Sequence, residues 1–157
     1  MDLSIHADWF VNPRVLGDFY RSFKDRSAEE IRSFSFQQGL SVGRMVMKQA
    51  GITGNGIPAI ATLLRVVLKD EPTATVNDLG SGKLLLRNAG FCPLMTACLS
   101  MDLPWTWLCS VLGWPFFHGL ASAVNPGVNL SMMRRREKGD PCCDHVFEIG
   151  QGKLILP

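Results

Sequence analysis

The stretch Gly139-Asp140-Pro141-Cys142-Cys143-Asp144-His145-Val146-Phe147-Glu148-Ile149 decides how this chain folds. It reads as a turn followed by a β-strand. Glycine accepts a positive φ, aspartate bonds its own backbone and proline fixes φ, so Gly139 to Pro141 supply the turn. Side chains of a strand alternate between two faces. Cys143, His145, Phe147 and Ile149 then share one face, and Cys142, Asp144, Val146 and Glu148 the other. The first set is the more apolar and is expected to face the core. Cys142, beside Asp144 and Glu148, is expected to point outward.

Working back from this strand, Val128 to Arg136 reads as its hairpin partner, with Val128, Leu130 and Met132 on one face. Thr73 to Asn88 reads as another hairpin, turning at Gly80-Ser81-Gly82. The remaining apolar segments have helical spacing. Asn12-Pro13 is a helix start, with proline at the first helical position. Ser27-Ala28-Glu29-Glu30 is a capping box that opens a helix ending near Gly51. Ile31, Phe34, Gln38, Val42, Met45 and Val46 carry its expected apolar face, and Gly39 and Gly43 allow a second helix close approach. Ile57 to Leu68 and Pro93 to Met101 are further helices. Another begins at Pro104, is capped by Asp102, and is broken or restarted at Gly113 and Pro115. This order predicts an α+β domain: an antiparallel sheet of two hairpins covered by helices. A pocket is expected between sheet and helices, lined by the segment from Trp105 to Phe117.

With 157 residues, 46% of them hydrophobic and 19% charged, the chain fits one domain over 1–157 with a real core. Its apolar character implies an internal ligand pocket or a buried interface, and a homodimer is expected. A net charge of +2 gives no nucleic-acid footprint. The basic cluster Arg134-Arg135-Arg136 reads as a solvated strand end, with an anion clamp at a pocket rim as the alternative. No secretory leader is evident in residues 1–10. Pro104 to Val124, the nearest approach to a membrane span, is interrupted by Gly113, Pro115, His118 and Gly119. Five cysteines without an export signal read as reduced thiols in a cytoplasmic protein.

Cys92 precedes Pro93 and so stands at a helix N-terminus, where unpaired N–H groups and the helix dipole lower a thiol pKa. It is the first candidate nucleophile; the alternative is a small buried residue at a turn. Cys109 and Cys143 fall on apolar faces, where an inert core thiol is the default reading. His118, if it lines the pocket, is the natural general base. Trp105, Trp114 and Phe117 form the expected pocket wall, with His145 at the inner surface of the sheet, and the aromatic rings could stack on a flat ligand. No cofactor motif is present. Zinc held by Cys92, Cys109 and Cys143 with His118 or His145 is an alternative, although the paired spacing of structural zinc ligands is missing.

Cys92-Pro93, Trp107-Leu108-Cys109, Asn125-Pro126, Gly139-Asp140 and Cys142-Cys143-Asp144 with Phe147 together resemble the L-2-amino-thiazoline-4-carboxylic acid hydrolase-like family. More distantly, the segment around Phe36 to Gly43 and the closing Gly-Asp-x-x-Cys strand are similar to 4-vinyl-reductase-type ligand-binding domains. The resemblance spans about Phe34 to Ile149. It implies a fold shared with TRAPP-type trafficking subunits, with a family-like ligand-binding core over 34–150 behind an N-terminal helical segment over 1–33. It also implies hydrolysis of a carbon–nitrogen bond in a cyclic amidine, with Cys92, Cys109 and Cys143 at the family's cysteine positions and His118 or water completing the step. His145 stands where the family carries an aromatic residue. The alternative expectation is a non-catalytic domain that binds or senses a hydrocarbon or tetrapyrrole-like molecule.

Overall fold

Asn12 opens the first helix: its side chain accepts from the Arg14 amide at 3.0 Å, and α1 runs Pro13–Phe23. The computed structural model describes residues 12–150, so the expectations for residues 1–11 lie outside the described residues. Helix α2, Ala28–Ala50, carries the expected capping box. Glu30 N donates to Ser27 Oγ at 3.2 Å, and Ser27 N donates to Glu30 Oε2 at 2.9 Å. Gly51 closes the helix at φ 64°, a left-handed conformation that glycine adopts without strain. This single helix runs unbroken through residues 33 and 34. Helix α3, Ile57–Val67, follows the glycine-rich connector.

The buried face of α2 differs from the one expected. It consists of Ile31, Ser35, Gly39 and Gly43, while Phe34 is 41% exposed. The reason lies in the later helical run, α5 (Trp105–Leu108), a π-helical turn (Cys109–Gly113) and α6 (Trp114–Val124). Backbones of α2 and α6 touch: a Cβ on Gly39 would collide with the Phe116 carbonyl, and one on Gly119 with the Phe36 carbonyl. Small residues win that face because they allow this approach. Ser35 Oγ donates to the Leu112 carbonyl at 2.6 Å in the same buried seam.

Gly113 and Pro115 do not break the run from Trp105 to Val124. Pro115 has no N–H for the Val111 carbonyl, and the wider π turn just before it absorbs that mismatch. By length and composition alone the continuous run could cross a membrane. In this fold Leu108, Val111, Leu112, Phe116 and Leu120 are buried in the core. Helix α4, Pro93–Met101, precedes the run. Asp102 does not cap α5, contrary to expectation. It closes α4 at φ 52°, and Pro104 starts α5 without a side-chain cap.

Among the described residues the four strands are β1 (Ala74–Gly80), β2 (Lys83–Asn88), β3 (Val128–Arg134) and β4 (Cys143–Ile149). All pairings are antiparallel, in the order β1-β2-β4-β3. The first hairpin turns at Gly80, Ser81 and Gly82, all at positive φ. The second is longer. A bulge after Met132 leaves Met133 71% exposed, β3 ends at Arg134, and Arg136 lies in a short 3-10 turn, Arg136–Lys138. The three arginines therefore do not alternate along one strand.

Strand β4 lies between β2 and β3, which alters the expected division of its faces. Phe147 and His145 are buried on the inner face. Cys142, Asp144 and Val146 are buried as well, because side chains from both flanking strands close over the other face. Cys142 does not point into solvent. The core forms two clusters: α1, α2, α4 and the Trp105–Val124 run pack around Phe116 and Leu120, while α3 and the sheet pack against Ala121 and Val124 of the same run.

Candidate functional site

Between the inner face of the sheet and the Trp105–Val124 run lies a cavity of about 320 Å3. Leu86, Asn88, Met132, Cys143 and His145 form its sheet wall. Trp105, Cys109, Gly113, Trp114 and Phe117 form its helical wall, as the sequence predicts for this segment. The start of α4, at Cys92, Pro93 and Leu94, closes one side. Val67 and Leu68 close another, and Arg136 and Glu137 of the β3–β4 connection complete it.

Cys92, Cys109 and Cys143, far apart in sequence, thus line one cavity together with Trp105, Trp114, Phe117 and His145. His118 does not join them. Its Nε2 lies 2.9 Å from the Val128 carbonyl, and its ring borders a separate groove with Ser110, Pro115 and Leu130. A one-residue step along a helix turns a side chain by 100°, so Phe117 faces the cavity and His118 does not.

Cys92 caps α4, and its Sγ accepts from the Met95 amide at 3.4 Å. The lowered thiol pKa expected there is overturned. Burial pushes Cys92 up, against the opposing pull of the Met95 and Leu94 amides and of Arg136. Burial likewise raises Cys143 and Cys109, and the nearby Glu137 adds to it. Cys98, buried off this cavity, is pushed up to about 12 by burial and by Cys92. Desolvation of a thiolate outweighs one helix N-terminus, so these thiols are protonated near neutral pH.

His145 is 7% exposed, and burial lowers its pKa to about 4. The Leu86 backbone and the Asp144 carboxylate favour the charged ring and offset this only in part. No hydrogen bond of good geometry reaches His145 Nδ1. Among the described residues, no three His, Cys, Asp or Glu side chains come close enough to hold a metal ion. The three thiols are spread around the cavity walls and do not fit the zinc site considered for them.

Neither a protein-family model nor a curated protein matches this chain. The chemistry open to the cavity is set by its own groups.

Sequence reasoning missed Glu137, and it raised Arg136 only within the alternative of an anion clamp at a pocket rim. Glu137 has a side chain only 1% exposed, and its Oε1 accepts from Arg135 Nε at 2.7 Å. The Arg135 guanidinium lies 4.4 Å from the centre of the Trp114 ring, so one arginine braces two parts of the wall. Arg136 ties the β3–β4 connection to the approach of α4: its Nη1 donates to the Gly90 carbonyl at 2.5 Å, and its amide donates to Cys143 Sγ at 3.5 Å. The available signal was a lone acid inside the basic run Arg134-Arg135-Arg136-Glu137-Lys138.

Proposed function

We propose that this chain is a small-molecule-binding domain whose ligand occupies the cavity between the sheet and the Trp105–Val124 run. The observation that carries this reading is the cavity itself. At about 320 Å3 it falls at the small end of the roughly 300–1,000 Å3 typical of ligand sites. Its walls are largely aromatic and aliphatic, and Trp105, Trp114 and Phe117 offer flat surfaces to a planar molecule. Protonated thiols and a neutral imidazole suit a lining that holds a ligand without attacking it. The α+β layout with an antiparallel sheet supports the likeness to 4-vinyl-reductase-type ligand-binding domains.

A second reading, thiol-dependent hydrolysis of a cyclic amidine, draws on the gathering of Cys92, Cys109 and Cys143 around this one cavity. Cys92 would add to the amidine carbon while its proton passes to the ring nitrogen, the carbon–nitrogen bond would break with that nitrogen leaving as an amine, and water would then displace the thiol from the S-linked intermediate. Native mass spectrometry before and after brief alkylation near neutral pH separates the readings. The binding reading expects a retained small molecule and slow labelling of every thiol. Rapid labelling of Cys92 with nothing bound would sink it and favour the hydrolase.

A further inference from the structure

Two of the arginines in the run Arg134-Arg135-Arg136 have anionic partners. Arg134 stands 3.7 Å from Asp144 on the outer face of the sheet, and Arg135 Nε donates to Glu137 Oε1 at 2.7 Å. Arg136 differs from both. Among the described residues no carboxylate pairs with it, and it is the only lysine or arginine that lines the cavity.

The contacts of Arg136 place its charge. Nη1 donates to the Gly90 carbonyl at 2.5 Å, beside the cavity-lining residues Phe91, Cys92 and Pro93. The backbone amide of Arg136 donates to Cys143 Sγ on the sheet wall. The positive charge opposes the rise of the Cys92 and Cys143 thiol pKa values, so it lies close to both. The side chain is half-buried and keeps some accessible surface. One hydrogen bond to Gly90 leaves most of the five guanidinium N–H donors without a protein partner.

The acids of the wall do not neutralise this charge. Glu137 is held by Arg135, and Glu71 Oε1 accepts from the Thr73 amide and hydroxyl. Asp70 is exposed between α3 and β1, where water and salt screen it. A guanidinium drawn partly out of water beside an apolar cavity gains most from a ligand that brings an anion. A carboxylate matches its planar fork with two oxygens.

Resting on the binding reading above, we propose that the ligand is an aromatic carboxylate, a planar one- or two-ring acid whose rings lie against Trp105, Trp114 and Phe117 and whose carboxylate meets Arg136. Arg136 is then the specificity-determining residue, and the aromatic wall supplies the area of contact. The protonated thiols of Cys92 and Cys143 lie at the carboxylate end and set no negative charge against it.

The test uses three probes of near-equal shape: naphthalene-2-carboxylate, naphthalene-2-carboxamide and naphthalene-2-carboxamidine, which near pH 7 are anionic, neutral and cationic. Each is titrated into the full chain by NMR, and a probe that shifts no cavity-lining residue counts as not bound. The carboxylate should bind about tenfold tighter than the amide, with the amidine last. Arg136→Gln keeps a donor for the Gly90 carbonyl but removes the charge. It should bring the carboxylate down to the level of the amide and leave the amide unchanged, while Arg136→Lys should retain part of the preference. Should a variant fail to fold, the order of the three probes on the unaltered chain decides, and added salt should narrow the lead of the carboxylate. A lead that survives Arg136→Gln overturns the role of Arg136. An amide that binds as well as the carboxylate, or an amidine that binds tightest, overturns the proposal and leaves the binding reading standing. Binding by none of the probes also overturns the proposal, and if no small molecule is retained on purification the binding reading falls with it.

Discussion

Arg87 and Asp144 face each other across the β2–β4 ladder in a two-pronged pair, Nε to Oδ1 at 2.7 Å and Nη2 to Oδ2 at 2.8 Å. The carboxylate is nearly closed off from solvent, and Arg134 of β3 stands 3.7 Å from it on the other side. The Arg87 hydrogen bonds hold Asp144 below the usual carboxylate range, against the opposing effect of burial. With Arg134, the pair joins three strands on the face of the sheet away from the cavity.

Replacing Arg87 should therefore hurt more than replacing Asp144, because Arg87→Leu leaves a buried carboxylate short of its main partner. Thermal melts near pH 7 should show Arg87→Leu lower than Asp144→Asn by several degrees. The pair's contribution is fully present above the ordinary carboxylate pKa and is lost as pH falls through the lowered value in the fold. The gap between Arg87→Leu and the unaltered chain should accordingly narrow as pH falls below the ordinary carboxylate range. A gap that stays constant with pH would mean that the pair is not what stabilises this face.

His145 gives a second pH dependence in a different window. Its folded-state pKa of about 4 lies below the ordinary 6.5. Above about pH 6.5 both states hold a neutral ring. Between there and about pH 4 the unfolded chain takes the proton and the folded one does not, so stability falls as pH falls. The loss reaches up to about 3 kcal/mol. Urea unfolding at stepped pH should show this slope, and His145→Phe should flatten it.

The contact between α2 and α6 should not tolerate a methyl group. Alanine is the better helix former by about 1 kcal/mol, yet Gly39→Ala and Gly119→Ala each push a Cβ into a facing carbonyl. Each should destabilise by about 2–3 kcal/mol, read as a shift in the denaturant midpoint. Gly51→Ala is the comparison: it meets no neighbour and bears only the left-handed backbone, so about 1 kcal/mol is expected.

Ser35→Ala removes the buried donor to the Leu112 carbonyl without altering packing volume much. A loss of about 1–2 kcal/mol is expected, since the carbonyl stays buried with one partner fewer. Unchanged stability would show that the π turn satisfies Leu112 unaided.

Local chemistry was legible from the residues themselves. Ser27 with Glu30, Asn12 before Pro13, and the Gly80-Ser81-Gly82 turn act within a few residues of chain, and each appears where the spacing put it. The α+β layout followed from those elements, and the walls of the cavity followed in part from the apolar segment containing Trp105, Trp114 and Phe117. Glu137 escaped notice because its burial depends on Arg135, Trp114 and the end of a strand. His118 is a candidate base only on the condition that it lines the pocket, and the helical rotation from Phe117 turns it to a separate groove.

The amino-acid sequence by itself determined which segments become helix or strand, because capping, turn geometry and side-chain period are settled by neighbours along the chain; it did not fix the end of β3 at Arg134 or the continuity of the run through Gly113 and Pro115. The close approach at Gly39 and Gly43 was readable from their spacing, but only the tertiary structure decided that β4 is an inner strand with both faces covered, that Phe34 is left off the buried face of α2, and that Cys92 is a desolvated thiol rather than an activated one. Those outcomes depend on which distant backbone lies alongside and how much water it displaces. Desolvation is a property of the assembled core, and it outweighs the helix-end effect that the local pattern around Cys92 and Pro93 suggests.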